Sequence, residues 1–76
     1  GLVTLDMTRE EIVRRWRALQ PWPGIYCNWQ GQSLKLLHFD LTTSPAQLTQ
    51  VQLSGKKPIT LADFQHSYGA FPLPQL

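Results

Sequence analysis

Seven basic side chains in 76 residues are the first chemistry that this sequence offers. Arg9, Arg14, Arg15 and Arg17 crowd one stretch, Lys35 stands alone, and Lys56-Lys57 form a pair. Cations gathered on one face can follow a nucleic-acid backbone through phosphate contacts, which position a strand without reading it. The plainer reading is a solvated helix face, with Glu10 and Glu11 paired to Arg14 and Arg15 four residues on. A net charge of +2 does not choose between the two.

The remaining inventory for chemistry is thin. His38 and Asp40 stand two apart, on one face if the segment is a strand, and such a pair can orient a general base. No nucleophile or second acid lies near them in sequence, so a solvated rim pair is the expectation. Cys27 is a single cysteine in an apolar pattern, which suits a small core hydrophobe better than a reactive thiol. His66 alone makes a poor metal site, and the five glycines form no phosphate-binding fingerprint. By itself the chain is expected to catalyse nothing and to hold no metal.

The elements that must position these residues are legible in part. Thr8-Arg9-Glu10-Glu11 fits a capping box. Ile12, Trp16 and Leu19 then recur at i, i+4 and i+7, so a helix is predicted from about Arg9 to Leu19. Ile12 inward leaves Arg14 and Arg17 outward and Arg15 on the flank. Pro21 ends this helix, and Pro23-Gly24 makes a turn. Ile25, Cys27 and Trp29 alternate with polar residues as in a half-buried strand. Gln30-Gly31-Gln32 reverses the chain into a second strand, Ser33 to Leu41, whose apolar phase slips at Leu37. That slip implies a β-bulge or a bend around a small barrel. Leu48 to Leu53 gives a third strand, and Leu2 to Leu5 a short edge strand. Gly55-Lys56-Lys57-Pro58 reads as an exposed loop before a second helix from about Leu61 to Tyr68. Thr60 and Asp63 cap that helix and Gly69 closes it. Two prolines keep Phe71 to Leu76 out of any helix or central strand. Trp16 and Trp29 belong to the core by periodicity. Trp22, between two prolines, has no such constraint and is expected to staple the turn, with stacking on a base as the alternative.

Composition bounds the rest. One domain with a thin core fits the length. Hydrophobic residues at 42% and charged residues at 16% exclude intrinsic disorder, and one cysteine excludes an internal disulfide. No apolar run approaches a membrane span, and there is no signal-peptide pattern. Gly1 in place of Met suggests a piece of something longer.

Arg17-Ala18-Leu19-Gln20-Pro21-Trp22-Pro23-Gly24-Ile25-Tyr26, followed by Gly31 and Leu34-Lys35-Leu36, resembles the start of the C-terminal domain of methionyl-tRNA formyltransferases. Thr8 to Ile12 suits that family's first helix. Val51-Gln52-Leu53-Ser54-Gly55-Lys56-Lys57-Pro58-Ile59 and Asp63-Phe64 are similar to its closing segment. The resemblance runs from about Thr8 to Gly69. It implies residues 1–69 as a mixed, mainly antiparallel β domain, a small open barrel of the oligonucleotide/oligosaccharide-binding type, with residues 70–76 as a proline-rich tail. The family usually carries an extra strand pair where this chain has only Asp40 to Gln47, so a reduced barrel is expected. The resemblance further implies a cytoplasmic protein of translation initiation. Its N-terminal catalytic domain, binding 10-formyltetrahydrofolate, matches no segment here, and this domain itself needs no cofactor. Lys56, Lys57 and Lys35 fall on family motif positions and are the phosphate-contact candidates for initiator tRNA; Arg14 and Arg17 join them from helix geometry. Related formyltransferases, acting on sugar nucleotides or amino-acid derivatives, reuse similar domains as structural or subunit-contact modules. A homodimer contact, or docking through the tail, is the alternative on that side.

Overall fold

Local capping sets both helices where the periodicity placed them. In the computed structural model, which describes residues 1–76, helix α1 spans Arg9–Leu19. The Thr8 hydroxyl accepts from the Glu11 amide at 3.1 Å, and the Glu11 carboxylate accepts from the Thr8 amide at 3.2 Å. Both halves of the box are therefore closed, and two amides of the first turn are satisfied. At the other end Gln20 is extended, as a residue before proline must be. Helix α2 is Leu61–Tyr68, with the Thr60 hydroxyl accepting from the Asp63 amide at 3.0 Å and Gly69 at its end.

Between the helices lie β1 (Ile25–Trp29), β2 (Gln32–Asp40), β3 (Gln47–Leu53) and β4 (Ile59–Thr60). They form one antiparallel sheet in the order β1-β2-β3-β4. The two end strands do not pair with each other, so the sheet stays open, as expected of a reduced barrel. The turn joining β1 to β2 is two residues long. Gln30 and Gly31 both have positive φ, 48° and 78°, which matches the right-handed twist of the paired strands. Glycine meets that demand freely; Gln30 takes an uncommon conformation for a side-chain-bearing residue.

The apolar phase slip in β2 is a true break of register. Leu36 pairs with Val51 and His38 with Gln50, leaving Leu37 as an extra residue; Phe39 then pairs with Leu48. Leu34, Leu36 and Phe39 consequently all point inward. Side chains serve the carbonyls at the break. The Trp16 indole donates to the Leu37 carbonyl at 3.1 Å, and the Thr49 hydroxyl donates to the His38 carbonyl at 3.1 Å. Leu41 lies beyond the strand and is exposed rather than continuing the new phase.

Two further expectations are corrected. Leu2 to Leu5 makes no strand; a single parallel bridge joins Leu2 to Tyr26, because the chain turns away at Thr4, whose carbonyl accepts from the Met7 amide. The tail offers no free docking segment, since Leu73 is 3% exposed within the core. The Gln75 amide also donates to the carbonyls of Thr4 and Met7 at 3.2 and 3.0 Å.

All thirteen buried residues are hydrophobic, and no polar or charged residue joins them. Any chemistry therefore belongs to the surface. Phe64 anchors α2 in this core, with its ring 5.5 Å from Trp29, 5.1 Å from Tyr68 and 5.9 Å from Phe71. Truncating Phe64 to alanine should cost about 3–5 kcal/mol, read from the midpoint of urea unfolding. Deleting residues 71–76 should cost at least about 2 kcal/mol through Leu73 alone; a tail that is mere decoration would leave the midpoint in place.

Candidate nucleic-acid interface

Helix α1 turns Ile12 and Trp16 into the core and leaves Arg14, Arg15 and Arg17 exposed. Arg9 is different: it is half-buried, and its guanidinium donates to the Ala46 carbonyl at 2.5 Å. That bond ties the start of the helix to the β2–β3 connection, 37 residues away. Between them opens a groove of about 820 Å³, with Arg9, Arg14 and Arg17 on one wall, Val13 in its floor and Ser44-Pro45-Ala46 opposite. Glu10 is its single carboxylate.

The same flank of α1 continues toward Lys35. Arg9, Val13, Trp16 and Gln20 follow one another at helical spacing. Arg9 meets Ala46, Trp16 meets Leu37, and Gln20 shares a depression of about 130 Å³ with Lys35, Pro21 and Gly24. Helix and strand thus pass each other in opposite directions. Lys35 stands exposed on the outer side of β2, between Tyr26 on β1 and Gln52 on β3. With Gln52, Ser33 and Ser54 it also borders a second depression, of about 230 Å³. The Gln52 amide donates to the Lys56 carbonyl at 2.7 Å, and the Lys56 amide donates to the Leu53 carbonyl at 3.0 Å. These bonds shape the loop on which Lys56 and Lys57 are exposed. Lys35 therefore lines both smaller depressions, one of which reaches Gly55 before Lys56, whereas the arginine groove shares no lining residue with either.

These cations are largely unneutralised. Of the seven basic side chains, only Arg9 donates a hydrogen bond within the chain. The Glu11–Arg15 pair expected from spacing does not form a hydrogen bond, because Glu11 turns back to cap the helix. Asp6 bonds the Thr4 hydroxyl, which is the chief reason its carboxyl lies below the ordinary carboxylate range. Asp40 receives the Thr42 hydroxyl and amide, which hold its carboxyl below that range, with His38 a lesser contributor. Asp40 is thereby committed to a turn. His38 instead sets its ring edge-on to Trp16, with centroids 5.7 Å apart. Nothing in this arrangement orients a general base.

Trp22 corrects the expected packing role, for it is 81% exposed. Backbone bonds close its turn without help from the indole: Gly24 amide to Leu19 carbonyl at 2.9 Å, and the Gly1 ammonium to the Gly24 carbonyl at 3.1 Å. Sequence reasoning also missed Arg9, Gln20 and Gln52 as parts of this surface. Helical spacing put Arg9 and Gln20 on one flank, and β alternation put Gln52 outward, but their partners are remote in sequence.

The family described as formyl transferase, C-terminal domain, matches residues 1–47 of the chain. A methionyl-tRNA formyltransferase of Thermus thermophilus is 28% identical over 96 aligned positions, covering 95% of this chain and 31% of that protein. The chain thus spans about a third of the relative's length. An alignment longer than the 76-residue chain means that the relative carries sequence here that this chain lacks. No solved structure matches the chain.

The one thiol lies outside this surface. Cys27 is 1% exposed on β1, and burial pushes its thiol up from 9.0 to about 11. In the fold the thiol holds its proton longer than in the unfolded chain, so this contribution is whole below about pH 9 and is lost as pH rises toward 11. An aromatic disulfide reagent at pH 8 should label Cys27 only on unfolding. Above pH 9 the native chain should lose stability faster than a Cys27→Ala variant; identical pH profiles would contradict the burial argument.

Proposed function

The chain belongs to the formyl transferase C-terminal domain family, and we propose from that premise that it is the tRNA-holding domain of a methionyl-tRNA formyltransferase. Formyl transfer from 10-formyltetrahydrofolate then belongs to an N-terminal catalytic domain, and this domain presents the initiator tRNA to it. The observation that carries this reading is the row of cations without internal partners: Arg14, Arg17, Lys35, Lys56 and Lys57. Arginines in the groove suit the two-pronged contacts that guanidinium makes to phosphate, and the lysines act as mobile point charges. Together they bind along a backbone and specify register more than sequence. Similarity to the Thermus methionyl-tRNA formyltransferase supports tRNA as the acceptor.

A structural or subunit-contact domain, in a formyltransferase acting on a sugar nucleotide or amino-acid derivative, is the competing reading. It draws on the reduced sheet and on exposed Leu5, and requires no affinity for tRNA. Binding of initiator tRNA across a salt series separates the two. Each phosphate contact contributes about 0.9 to the slope of log affinity against log salt, so Lys56→Ala with Lys57→Ala should lower the slope by about two. Arg14→Ala with Arg17→Ala should lower it similarly. An affinity indifferent to salt and to all four changes would favour the contact-domain reading.

A further inference from the structure

Trp22 is the aromatic side chain that the core leaves unused. Trp16 is buried against Phe39 and Trp29 packs on Phe64, whereas Trp22 keeps 81% of its surface in water. Its turn is nevertheless firmly held. The Gln20 amide donates to the Trp16 carbonyl at 2.9 Å, and the Gly24 bonds close the other side. Proline on both sides fixes the adjoining φ angles. An indole displayed this way loses little backbone freedom on binding, and aromatic surface of this size yields a large gain when covered.

We propose that the Trp22 turn and the depression beside it form a subsite for one unpaired nucleotide, its base stacked on the indole and its phosphate held by Lys35. This rests on the nucleic-acid reading above and adds a contact which phosphate binding does not require. Pro21 and Gly24, on either side of the Trp22-Pro23 pair, line the depression together with Lys35 and Gln20; the other half of its lining is apolar, and no carboxylate borders it. Its volume, about 130 Å³, equals some four waters at roughly 30 Å³ each. Lys35 is its one charged side chain, and no carboxylate opposes an anion there. A phosphate bound to Lys35 at the rim leaves the base outside, where the indole stands. Arg17, one turn before Gln20, extends the positive surface to the preceding phosphate. Stacking tolerates any base, so the subsite selects unpaired from paired strands rather than one sequence from another.

Iodide quenching of tryptophan emission reads this directly, because Trp22 is the most exposed of the three indoles. The 76-residue chain is titrated with a short unpaired oligoribonucleotide, and with the same strand annealed to its complement. The unpaired strand should shield Trp22 from iodide; the duplex should bind without shielding it. Trp22→Ala should weaken unpaired-strand binding roughly tenfold while sparing the duplex, and Trp22→Phe should restore most of the loss. Lys35→Ala should lower the salt slope for the unpaired strand by about 0.7. Binding that leaves Trp22 open to iodide and unaffected by Trp22→Ala overturns the subsite and leaves the backbone reading intact. No binding by either strand, with circular dichroism showing the fold intact, removes both. Shielding that depends on protein concentration alone makes Trp22 a self-association contact and overturns the proposal.

Discussion

The hydrogen bond from the Trp16 indole to the Leu37 carbonyl is the joint on which the arrangement of helix and sheet depends. A bulge in β2 withdraws a carbonyl from the regular ladder, and an unsatisfied one away from water costs about 1–3 kcal/mol. Trp16 meets that demand from a helix 21 residues away, while its ring packs on Phe39 and against His38. The bulge also turns Phe39 into the core in phase with Leu34 and Leu36. One contact therefore resolves the strand's irregularity and sets the direction of α1 past β2. The flank that carries Arg9, Trp16 and Gln20 is aligned as a consequence, and the arginine groove and the Lys35 depression follow from that alignment.

Electrostatics is settled by a second constraint, the use of acids for local structure. Glu11 caps α1, Asp6 and Asp40 serve hydroxyls in turns, and Asp63 sits in the first turn of α2, where negative charge complements the helix dipole. Three of the five carboxylates, those of Asp6, Glu11 and Asp40, thus accept hydrogen bonds in caps or turns, while Glu10 lines the arginine groove. Six of the seven basic side chains donate no hydrogen bond within the chain.

How far the sequence could be read depended on the reach of each interaction. Both helices were legible to the residue because their caps lie within three positions of the residues they serve, as Thr8–Glu11 and Thr60–Asp63 do. The bulge was legible because burial forces period two, so a phase slip at Leu37 must appear as a register break. β4 was not, since two residues carry no period. Arg9–Ala46 and Gln75–Met7 were not, since residues 37 and 68 positions apart leave no local pattern. Trp22 misled for another reason: small domains commonly bury a tryptophan, and nothing local showed that backbone bonds alone close its turn. The basic residues were legible as charges, Lys35, Lys56 and Lys57 on family motif positions and Arg14 and Arg17 by helix geometry; the depressions beside them required the structure.

The place of Leu73 and Gln75 bears on how this molecule must come into being. Residues near the end of the sequence complete the core, and one of them bonds carbonyls 68 and 71 positions earlier. Closing so long a loop is entropically unfavourable, and it is repaid only after most other contacts exist. The helices and the β1–β2 hairpin can form from local contacts alone, whereas the apolar surface that receives Leu73 stays open until segments far apart in the chain have met.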